Sequence, residues 1–470
     1  MSSPFASLNT ALSALRYQQA SLDIASTNIA NASTEGYVRR RIVGETVGAA
    51  AAPAVWSRSN EIGSGVASSG VQRLVDPLLD TRVRREHAGQ SYLELKAAAL
   101  ARVESGIAEP SENGVAAAID TFHNSLDDVN NAPNTDAARM QILENGRLVA
   151  DAFKIQSGNL QEEIGDQRAR VLASVQEVND LAQQLAATNH TISTSSGGGD
   201  TATLMDARDH LALRLSELTG GTATVRPDGG MDVTVGGQPL VTGRQASTLQ
   251  VASGINPDGS GAGSAITFQI QPPTGPAVGV VVPGGEIAAS VELIDVTLPG
   301  YAAGLNALVS AFADAFNAAH AGGYDLDGDA GGQFFDYDPA DPARSLSVVV
   351  TSAKDIAMSS VPTVPPATGG NTDTGNAVAL ADSITIQDGY QRLVNGFGSS
   401  VASVRRLADN QSAMTSQVDA AREQLTGVSI DEETVNMVMA QRSYEAAARV
   451  MTTVDQILDT LINRTGLVGR

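Results

Sequence analysis

The chain has 470 residues, a formal net charge of -22 and no cysteine. Its length predicts two to four domains. The excess of acids argues against a nucleic-acid binder, because phosphate neutralisation needs a basic face. The lack of cysteine excludes disulfides, thiol nucleophiles and cysteine-based metal sites. Hydrophobic residues make up 42% of the chain and aromatic residues only 4%, so we expect aliphatic cores in an elongated molecule of several parts.

The first 40 residues predict a coiled-coil helix that ends in a turn. Apolar residues recur at alternating spacings of three and four, and the pattern has two polar interruptions. The apolar positions are Phe5, Leu8, Leu12, Leu15, Leu22 and Ile29. Asn28 and Asn31 weaken the end of this helix, and Gly36 can take the left-handed conformation that stops it. Tyr37 then begins an extended, strand-like segment.

The middle of the chain predicts a helical body with a β insertion. Residues 70–215 have the apolar spacing of long helices, and the helix that begins near residue 136 is long enough to indicate a rod-like bundle. From Gly220 to about Val296 the apolar period changes to two around glycine-rich turns, which is typical of short strands. Helices are predicted again from about residue 301.

The C-terminal helix repeats the N-terminal pattern. Its predicted apolar stripe contains Ala440, Ser443, Ala447, Val450, Val454, Ile457 and Leu461. Ser429 is a suitable N-cap, with Glu432 three residues later for a capping box. Acids at 431–433 occupy the first turn, where the helix dipole favours them. We expect the arginines at 39–41 to meet these acids.

These patterns predict an α+β fold that is mainly α, with terminal coiled-coil helices, an elongated helical bundle domain and a small inserted β domain. The predicted terminal domain comprises residues 1–40 and 428–470. The helical body comprises 41–218 and 297–427, and the β domain comprises 219–296.

The two terminal helices do not bury enough apolar surface to fold as an isolated pair. The burial of about ten large stripe residues falls short of the conformational entropy that two ordered helices lose. Further apolar surface must come from the body or from neighbouring copies, and helices at the ends of a rod-like body favour the copies. We therefore predict that the segments before about Arg41 and after about Val428 are flexible in the free chain and fold on association.

No catalytic, cofactor or metal site is predicted. The five histidines lie far apart, and the sequence contains no HExxH, Walker loop or GxGxxG motif. The nearest approach to a metal motif is the calcium-loop spacing of Asp325, Asp327, Asp329 and Asp336. Ala330, however, stands where that loop needs glycine, and the last ligand is Asp instead of Glu. An acidic turn is the favoured interpretation, and calcium binding stays open.

The sequence predicts neither a cleavable secretory signal nor membrane insertion. No basic residue precedes Arg16, and the first residues contain no continuous apolar run. The most apolar helix-like stretch, 302–319, is interrupted by Asn306, Asp314 and Asn317.

Two terminal segments carry recognisable motifs, NIANASTEGY at 28–37 and SIDEETVNMVMAQRSYEAAARVM at 429–451. Both resemble the signatures of the bacterial flagellar axial proteins, which are the rod, hook and hook-associated proteins. Internal segments such as TLMDARDHLALRLSELTGG, together with the long helical region 115–192, are similar to the FlgK family of hook-associated proteins.

This resemblance implies a structural, non-enzymatic role in motility, as a ring of copies that joins hook to filament at the hook-filament junction of the flagellum. It implies three partners: the hook protein, a second hook-associated protein and an export chaperone at the C-terminal helix. The chain would be secreted unfolded through the flagellar type III channel. We expect the assembly interface to contain Phe5, Leu8, Leu12, Leu15, Leu22, Ile29, Asn28, Asn31, Gly36, Tyr37, Ala447, Val450, Val454, Ile457 and Leu461.

Three alternatives remain open from the sequence. A hook or distal-rod protein of the same axial family would carry the same terminal motifs. A soluble enzyme or calcium-binding module would depend on the Asp-rich loop, with Asp325 and Asp327 as the residues to replace. The β insertion could add a recognition surface, since exposed insertions often carry binding functions.

Overall fold

The computed structural model describes residues 4–34, 36–47, 65–112, 114–129, 135–195, 199–362, 373–460 and 462, without the side chains of residues 4–6, 199 and 200. The α-helices are α1 (Pro4–Ala30), α2 (Pro77–Ile107), α3 (Val115–Val129), α4 (Asp136–Thr194), α5 (Gly199–Thr219), α6 (Gly285–Glu292), α7 (Leu298–Ala321), α8 (Pro342–Ser345), α9 (Gly375–Ser383), α10 (Ile386–Thr426) and α11 (Ile430–Asp459). The β-strands are β1 (Arg40–Thr46), β2 (Val66–Arg73), β3 (Thr222–Val225), β4 (Met231–Val235), β5 (Gln238–Thr242), β6 (Gln245–Ala246), β7 (Thr248–Ser253), β8 (Thr267–Gln271), β9 (Val278–Val280), β10 (Phe335–Asp336) and β11 (Ser347–Val348).

Helix α4 is the long axis of the body. It contains 59 residues, which corresponds to about 90 Å at the rise of an α-helix. Its buried side chains recur along the whole length, from Ile142 near the start to Ile192 near the end. Two separate hydrophobic cores are built on this one helix. The rod-like helix expected from the sequence is therefore present.

The first core lies where α2, α4, α5 and α6 meet two small antiparallel sheets. One sheet has the strand order β3-β4-β5-β6 and the other the order β7-β8-β9. This core is mainly aliphatic, as the low aromatic content predicts, and its fully buried members include Leu100, Leu185, Leu215, Val233 and Leu249. Alternate strand residues such as those of β4 point into this core, because side chains alternate between the faces of a strand.

Two asparagines of α4 fix the sheets to the helix. Asn179 donates from its amide to the carbonyl oxygen of Leu249 at 3.0 Å and accepts from the same residue's N–H at 2.7 Å. Asn189 makes the equivalent pair of bonds with Met231, both at 2.8 Å. The β insertion thus shares its core and its hydrogen bonds with the helices. The division of residues 219–296 into a separate domain stays a prediction.

The second core is aromatic and lies at the other end of α4. It gathers five phenylalanines from α3, α7 and the start of the β10 hairpin, with ring centroids 4.8 to 6.4 Å apart: Phe122, Phe312, Phe316, Phe334 and Phe335. Tilted and edge-on arrangements of this kind are the favourable ones for aromatic rings. The sequence concentrates its few aromatic residues here.

His320 at the end of α7 is fully buried beside this core. Its Nδ1 lies 2.8 Å from the carbonyl oxygen of Gly332, and its Nε2 accepts the N–H of Ala357 at 3.0 Å. This pattern requires a neutral imidazole with the proton on Nδ1. Burial lowers the pKa of His320 below its ordinary value.

We expect His320 to make the fold acid-sensitive. Because its folded pKa is lowered, its contribution to stability is complete above the ordinary histidine value of 6.5 and is lost as the pH falls. His320→Gln should unfold at lower urea at pH 7 but should lose less stability than the wild type between pH 7 and pH 5. Urea unfolding followed by far-UV circular dichroism measures this difference. Equal losses in the two proteins would contradict the assignment.

The helical segment Gly285–Ala321 is 37 residues long and is, among the described residues, the one helix long and apolar enough to cross a membrane by length and composition. The sequence predicts no run as long as a membrane span, because polar residues interrupt the stretch 302–319; by length and composition this prediction was wrong. A π-helical turn, Leu293–Thr297, continues α6 into α7 without a break. Side chains along the segment, such as Leu293, Leu305 and Phe316, are fully buried in the two cores. The segment therefore contributes side chains to both cores.

The Asp-rich loop forms a hydrogen-bonded turn. The carboxylate of Asp325 accepts the backbone N–H groups of Asp327 at 2.9 Å and of Asp329 at 2.8 Å. The N–H of Asp325 in turn binds the carbonyl oxygen of Asp329. The described residues contain no group of three or more His, Cys, Asp or Glu side chains that could hold a metal ion.

Candidate functional site

The two terminal helices, α1 and α11, pack against each other. The buried apolar residues of the two helices have small or β-branched side chains, namely Ala11, Ala25, Ala440 and Val454. The predicted apolar positions of α1 are half-buried beside them: Leu8, Leu12, Leu15, Leu22 and Ile29. The side chain of Phe5 and the whole of Leu461 lie outside the described residues. The pair is therefore covered along one seam, and its larger apolar side chains are only partly shielded.

The apolar positions of α11 fall on two faces instead of one. Ala447 and Val454 are on the side that α1 covers, whereas Val450 and Ile457 are about half exposed. The exposed positions extend along the helix as an outer stripe, with exposures of 57%, 55%, 50% and 48%, at Val435, Met439, Val450 and Ile457. The single stripe predicted from the sequence thus combined positions from the covered face with positions from the exposed face. Residues three or four apart differ by 40° to 60° around a helix, so a small error in phase exchanges one face for its neighbour.

Asn28 joins three segments of the chain at the base of the terminal pair. It is fully buried. Its Nδ2 donates to the carbonyl oxygen of Arg40 at 2.9 Å and to Glu433 Oε2 at 3.0 Å. Its Oδ1 accepts the Tyr37 hydroxyl at 2.7 Å and the Arg40 N–H at 3.1 Å. An amide side chain has two donors and two acceptor sites, so the hydrogen-bonding capacity of Asn28 is fully used.

The turn after α1 explains the remaining residues of the N-terminal motif. Gly36 has φ +76°, a left-handed value, and no atom lies within 4 Å of the position that a Cβ would take. Backbone conformation, not space, therefore requires glycine there. Among the described residues, the Asn31 side chain bonds only to residues next to it in the chain: it donates to the carbonyl oxygen of Thr27 and accepts the Thr34 hydroxyl. Burial raises the pKa of Tyr37, so its hydroxyl keeps the proton that it donates to Asn28.

Arg39 connects the linker to the first turn of α11. Its guanidinium lies 2.8 Å from Glu432 Oε2 and 2.6 Å from Glu433 Oε1, and its backbone N–H donates to the carbonyl oxygen of Thr426 at the end of α10. The expected contact between these arginines and acids is present for Arg39 and lies within one chain. Ser429 accepts the N–H of Glu432 as the N-cap. The Glu432 carboxylate, which was predicted to complete a capping box with Ser429, binds Arg39.

The two acids should contribute unequally. The Glu433 side chain is 5% exposed and that of Glu432 is 63% exposed. We expect Glu433→Gln to weaken the docking of α11 by about 2 to 3 kcal/mol, since it removes the charge from a buried hydrogen-bonded pair. Glu432→Gln should cost less than about 1 kcal/mol, and its effect should disappear in high salt. Hydrogen exchange in the first turns of α11 at low and high salt separates these outcomes. Equal effects would contradict the buried geometry.

The arginines that follow Arg39 do not meet the acids of α11. Arg40 binds Asp206 of α5 at 2.9 Å and lies over the Tyr37 ring, with its guanidinium carbon 4.8 Å from the centroid. Arg73, the last residue of β2, binds both Asp206 and Asp209 at 2.7 Å. The linker is thereby fixed to the body as well as to α11. These acids were not predicted from the sequence as partners of the linker. The sequence feature that could have indicated them is the pair Asp206 and Asp209, three residues apart on one face of α5.

The β1-β2 hairpin packs on α1 and continues the terminal unit outward. A Cβ added to Gly44 would lie 2.9 Å from the Tyr17 ring, so this ring of α1 packs directly against the strand. Beside the hairpin, a cleft of about 430 Å³ opens between α1, β1 and α11. Its wall includes Tyr17, Arg41 and Met439, and the last belongs to the outer stripe.

Profiles of known protein families match the chain in three places. The profile "Flagellar hook-associated protein FlgK helical domain" matches residues 100–335, which is half of the chain. The chain belongs to the FlgK family of flagellar hook-associated proteins. It is therefore a structural component of the bacterial flagellum. Profiles of the flagellar basal body rod proteins match residues 8–37 and 424–464, which are the terminal segments of the FlgK-family chain.

Relatives of known name agree with this family. "Flagellar hook-associated protein 1" of Bacillus subtilis is 29% identical, over 100% of both chains. The protein of the same name from Escherichia coli is 24% identical, over 97% of this chain and 99% of its own length. The structure of the flagellar hook junction protein FlgK from Burkholderia pseudomallei has a TM-score of 0.63 and 16% identity, over 74% of this chain and 100% of that chain. The predicted fold class, mainly α with small sheets, is confirmed.

Proposed function

We propose that this chain joins the hook to the filament of the flagellum, and that its copies assemble into a ring through the terminal helices. The observation that supports this most directly is the outer stripe of α11, which is apolar and half exposed. It lies beside a polar junction whose central amide, Asn28, is fully hydrogen-bonded. Exposed apolar side chains that recur on one face of a helix, here from Val435 to Ile457, are typical of a face that another chain covers.

The distribution of charge favours the same surface. The chain as a whole carries a net charge of -22, so copies repel one another wherever their acidic bodies meet. Between residues 435 and 457 the outer stripe presents valine, methionine and isoleucine. Burial of these side chains against a neighbour supplies the attraction that the bodies lack. The cleft beside Met439 adds a concave surface next to the stripe.

Within this proposal the terminal helices form an inner unit, the helical body lies outside it, and no part of the chain is catalytic. The proposed neighbours in the flagellum are the hook protein and a second hook-associated protein. Before assembly the chain leaves the cell unfolded by the flagellar type III route. An export chaperone that shields an apolar helix would bind α11, because its outer stripe is the exposed apolar face closest to the end of the described chain.

Electron microscopy of cells that lack this chain tests the junction role. We expect hooks without filaments, together with flagellin in the culture medium, and recovery of filaments on complementation. A hook or distal-rod protein of the wider axial family is the second candidate, since rod-protein profiles match both terminal segments. Cells that lack the hooks themselves would favour that candidate and contradict the junction role.

A further inference from the structure

His87 in α2 lies between carboxylates from two other helices. Its Nε2 is 3.0 Å from both carboxylate oxygens of Asp419 in α10. Its Nδ1 is 3.4 Å from Glu217 Oε1 in α5. The imidazole is 25% exposed, whereas the Glu217 and Asp419 side chains are 21% and 43% exposed. One ring therefore bridges three helices of the body.

The protonation state of the ring decides whether the bridge is complete. Protonated imidazole donates from both nitrogens, so it can bind both carboxylates at once. Neutral imidazole donates from one nitrogen only, and its other lone pair then faces a carboxylate. In that state one of the two acids loses its hydrogen bond and repels the ring.

The other acids around this ring are paired with arginines. His87 lines a cleft of about 180 Å³ between α2, α5 and α10, together with Arg84 and His210. The acids of this cleft have their own partners, which are Arg422 for Asp80, Arg40 and Arg73 for Asp206, and Arg73 and Arg208 for Asp209. On the α5 side, Glu217 also binds Arg214 at 3.2 Å.

We propose that His87 is a proton-dependent clasp that holds the end of α10 against α2 and α5 when its ring is charged and loosens this packing when its ring is neutral. Asp419 lies two turns before the end of α10, and the carbonyl oxygen of Thr426 at that end accepts the N–H of Arg39 in the linker. The clasp therefore acts on the element that supports the junction with α11. It does not depend on the proposed position of the chain between hook and filament.

The direction of the effect follows from the surroundings of the ring. Hydrogen bonding to Glu217 raises the pKa of His87 above its ordinary 6.5, burial opposes this, and the bond to Asp419 adds to the increase. Glu217 has the larger effect on the pKa of His87 although Asp419 is nearer, because the Glu217 carboxylate is the less exposed of the two. A raised folded pKa means that the stabilisation is complete below pH 6.5 and is lost as the pH rises through the folded value. Each unit of increase multiplies the folding equilibrium constant about tenfold below pH 6.5.

Two measurements on the full chain test the clasp. Nitrogen-15 spectra of the histidine rings should show that His87 titrates above 6.5 and that Asp419→Asn moves this value down. Urea unfolding gives the unfolding equilibrium constant of His87→Gln divided by that of the wild type. This ratio should be largest at pH 6 and should decline as the pH approaches 9. His123→Gln is the matched control, because among the described residues His123 pairs with one acid, Asp127, at 3.7 Å on the same helix. This variant removes a histidine without removing an ion pair between helices.

Hydrogen exchange locates the effect. Exchange rates are first corrected for their intrinsic dependence on pH. Relative to amides at 393–403, amides at 416–426 should then be less protected at pH 9 than at pH 6. In His87→Gln this difference between the two pH values should disappear. A His87 ring that titrates at or below 6.5, or a ratio of unfolding constants that is independent of pH, would overturn the proposal. If His87→Gln fails to fold, the ring titration of Asp419→Asn still decides.

Discussion

Replacement of Asn28 by alanine is expected to detach the terminal pair from the linker. The change leaves the Arg40 backbone carbonyl and N–H, the Tyr37 hydroxyl and one oxygen of Glu433 without the amide that they share. Buried polar groups without partners cost about 1 to 3 kcal/mol each. A loss of about 3 kcal/mol or more corresponds to at least a hundredfold shift in the local opening equilibrium.

Hydrogen exchange at residues 37–42 and 430–436 measures this shift, and swimming assays give its consequence for the flagellum. Asn31→Ala is the control, because Asn31 belongs to the same motif, lies one turn further on and bonds only within the turn. It should change exchange by less than about tenfold and leave swimming largely intact, since it breaks about one exposed hydrogen bond. Equal effects of the two variants would show that Asn28 does not hold the junction.

An acidic residue in the outer stripe is expected to abolish filament attachment without unfolding the chain. Val450 is 50% exposed and Ile457 is 48% exposed, so Val450→Asp and Ile457→Asp place the charge in water in the free chain. In an assembled ring the same carboxylate would be buried against a neighbour without a partner, at a cost of several kcal/mol per copy. Cells with either variant should carry hooks and release flagellin.

Thr452→Asp provides the matched control for this prediction. Thr452 resembles valine in size, lies two residues from Val450 and is exposed on the opposite side of the helix from the outer stripe. This variant should retain filaments. Circular dichroism should give the same helix content for all three purified chains. Filaments on the Val450→Asp strain would mean that the outer stripe does not contact a neighbour.

The sequence predicted those features that depend on local period and turn chemistry. The long helices, the change to period two after Gly220 and the left-handed turn at Gly36 all follow from residues close together in the chain. The terminal motifs identified the axial class for the same reason, since each is one short segment. The length of the apolar segment that ends at Ala321 was underestimated. The reason is that a π-helical turn at Leu293–Thr297 continues α6 into α7 without a break.

Features that depend on long-range partners could not be predicted from the sequence. Asn28 was interpreted as a residue that weakens a helix end, but its amide binds Glu433, 405 residues away. Nothing in the spacing of Arg40 indicated that it would bind Asp206 instead of the acids of α11. The rotation of α11 was misjudged because valine occurs on both of its apolar faces, with Val454 on the covered face and Val450 in the outer stripe. The contact with α1 alone decides which face is covered.

The central claim is that α1 and α11 are anchored at their base by Asn28 and Arg39 and are completed along their length by neighbouring copies. Hydrogen exchange of the free chain in dilute solution, compared with the same chain in isolated flagella, tests it most directly. We predict that amides at 7–22 and 443–459 exchange rapidly in the free chain and become strongly protected in flagella. Protection in the free chain equal to that of α4, unchanged by assembly, would contradict the claim.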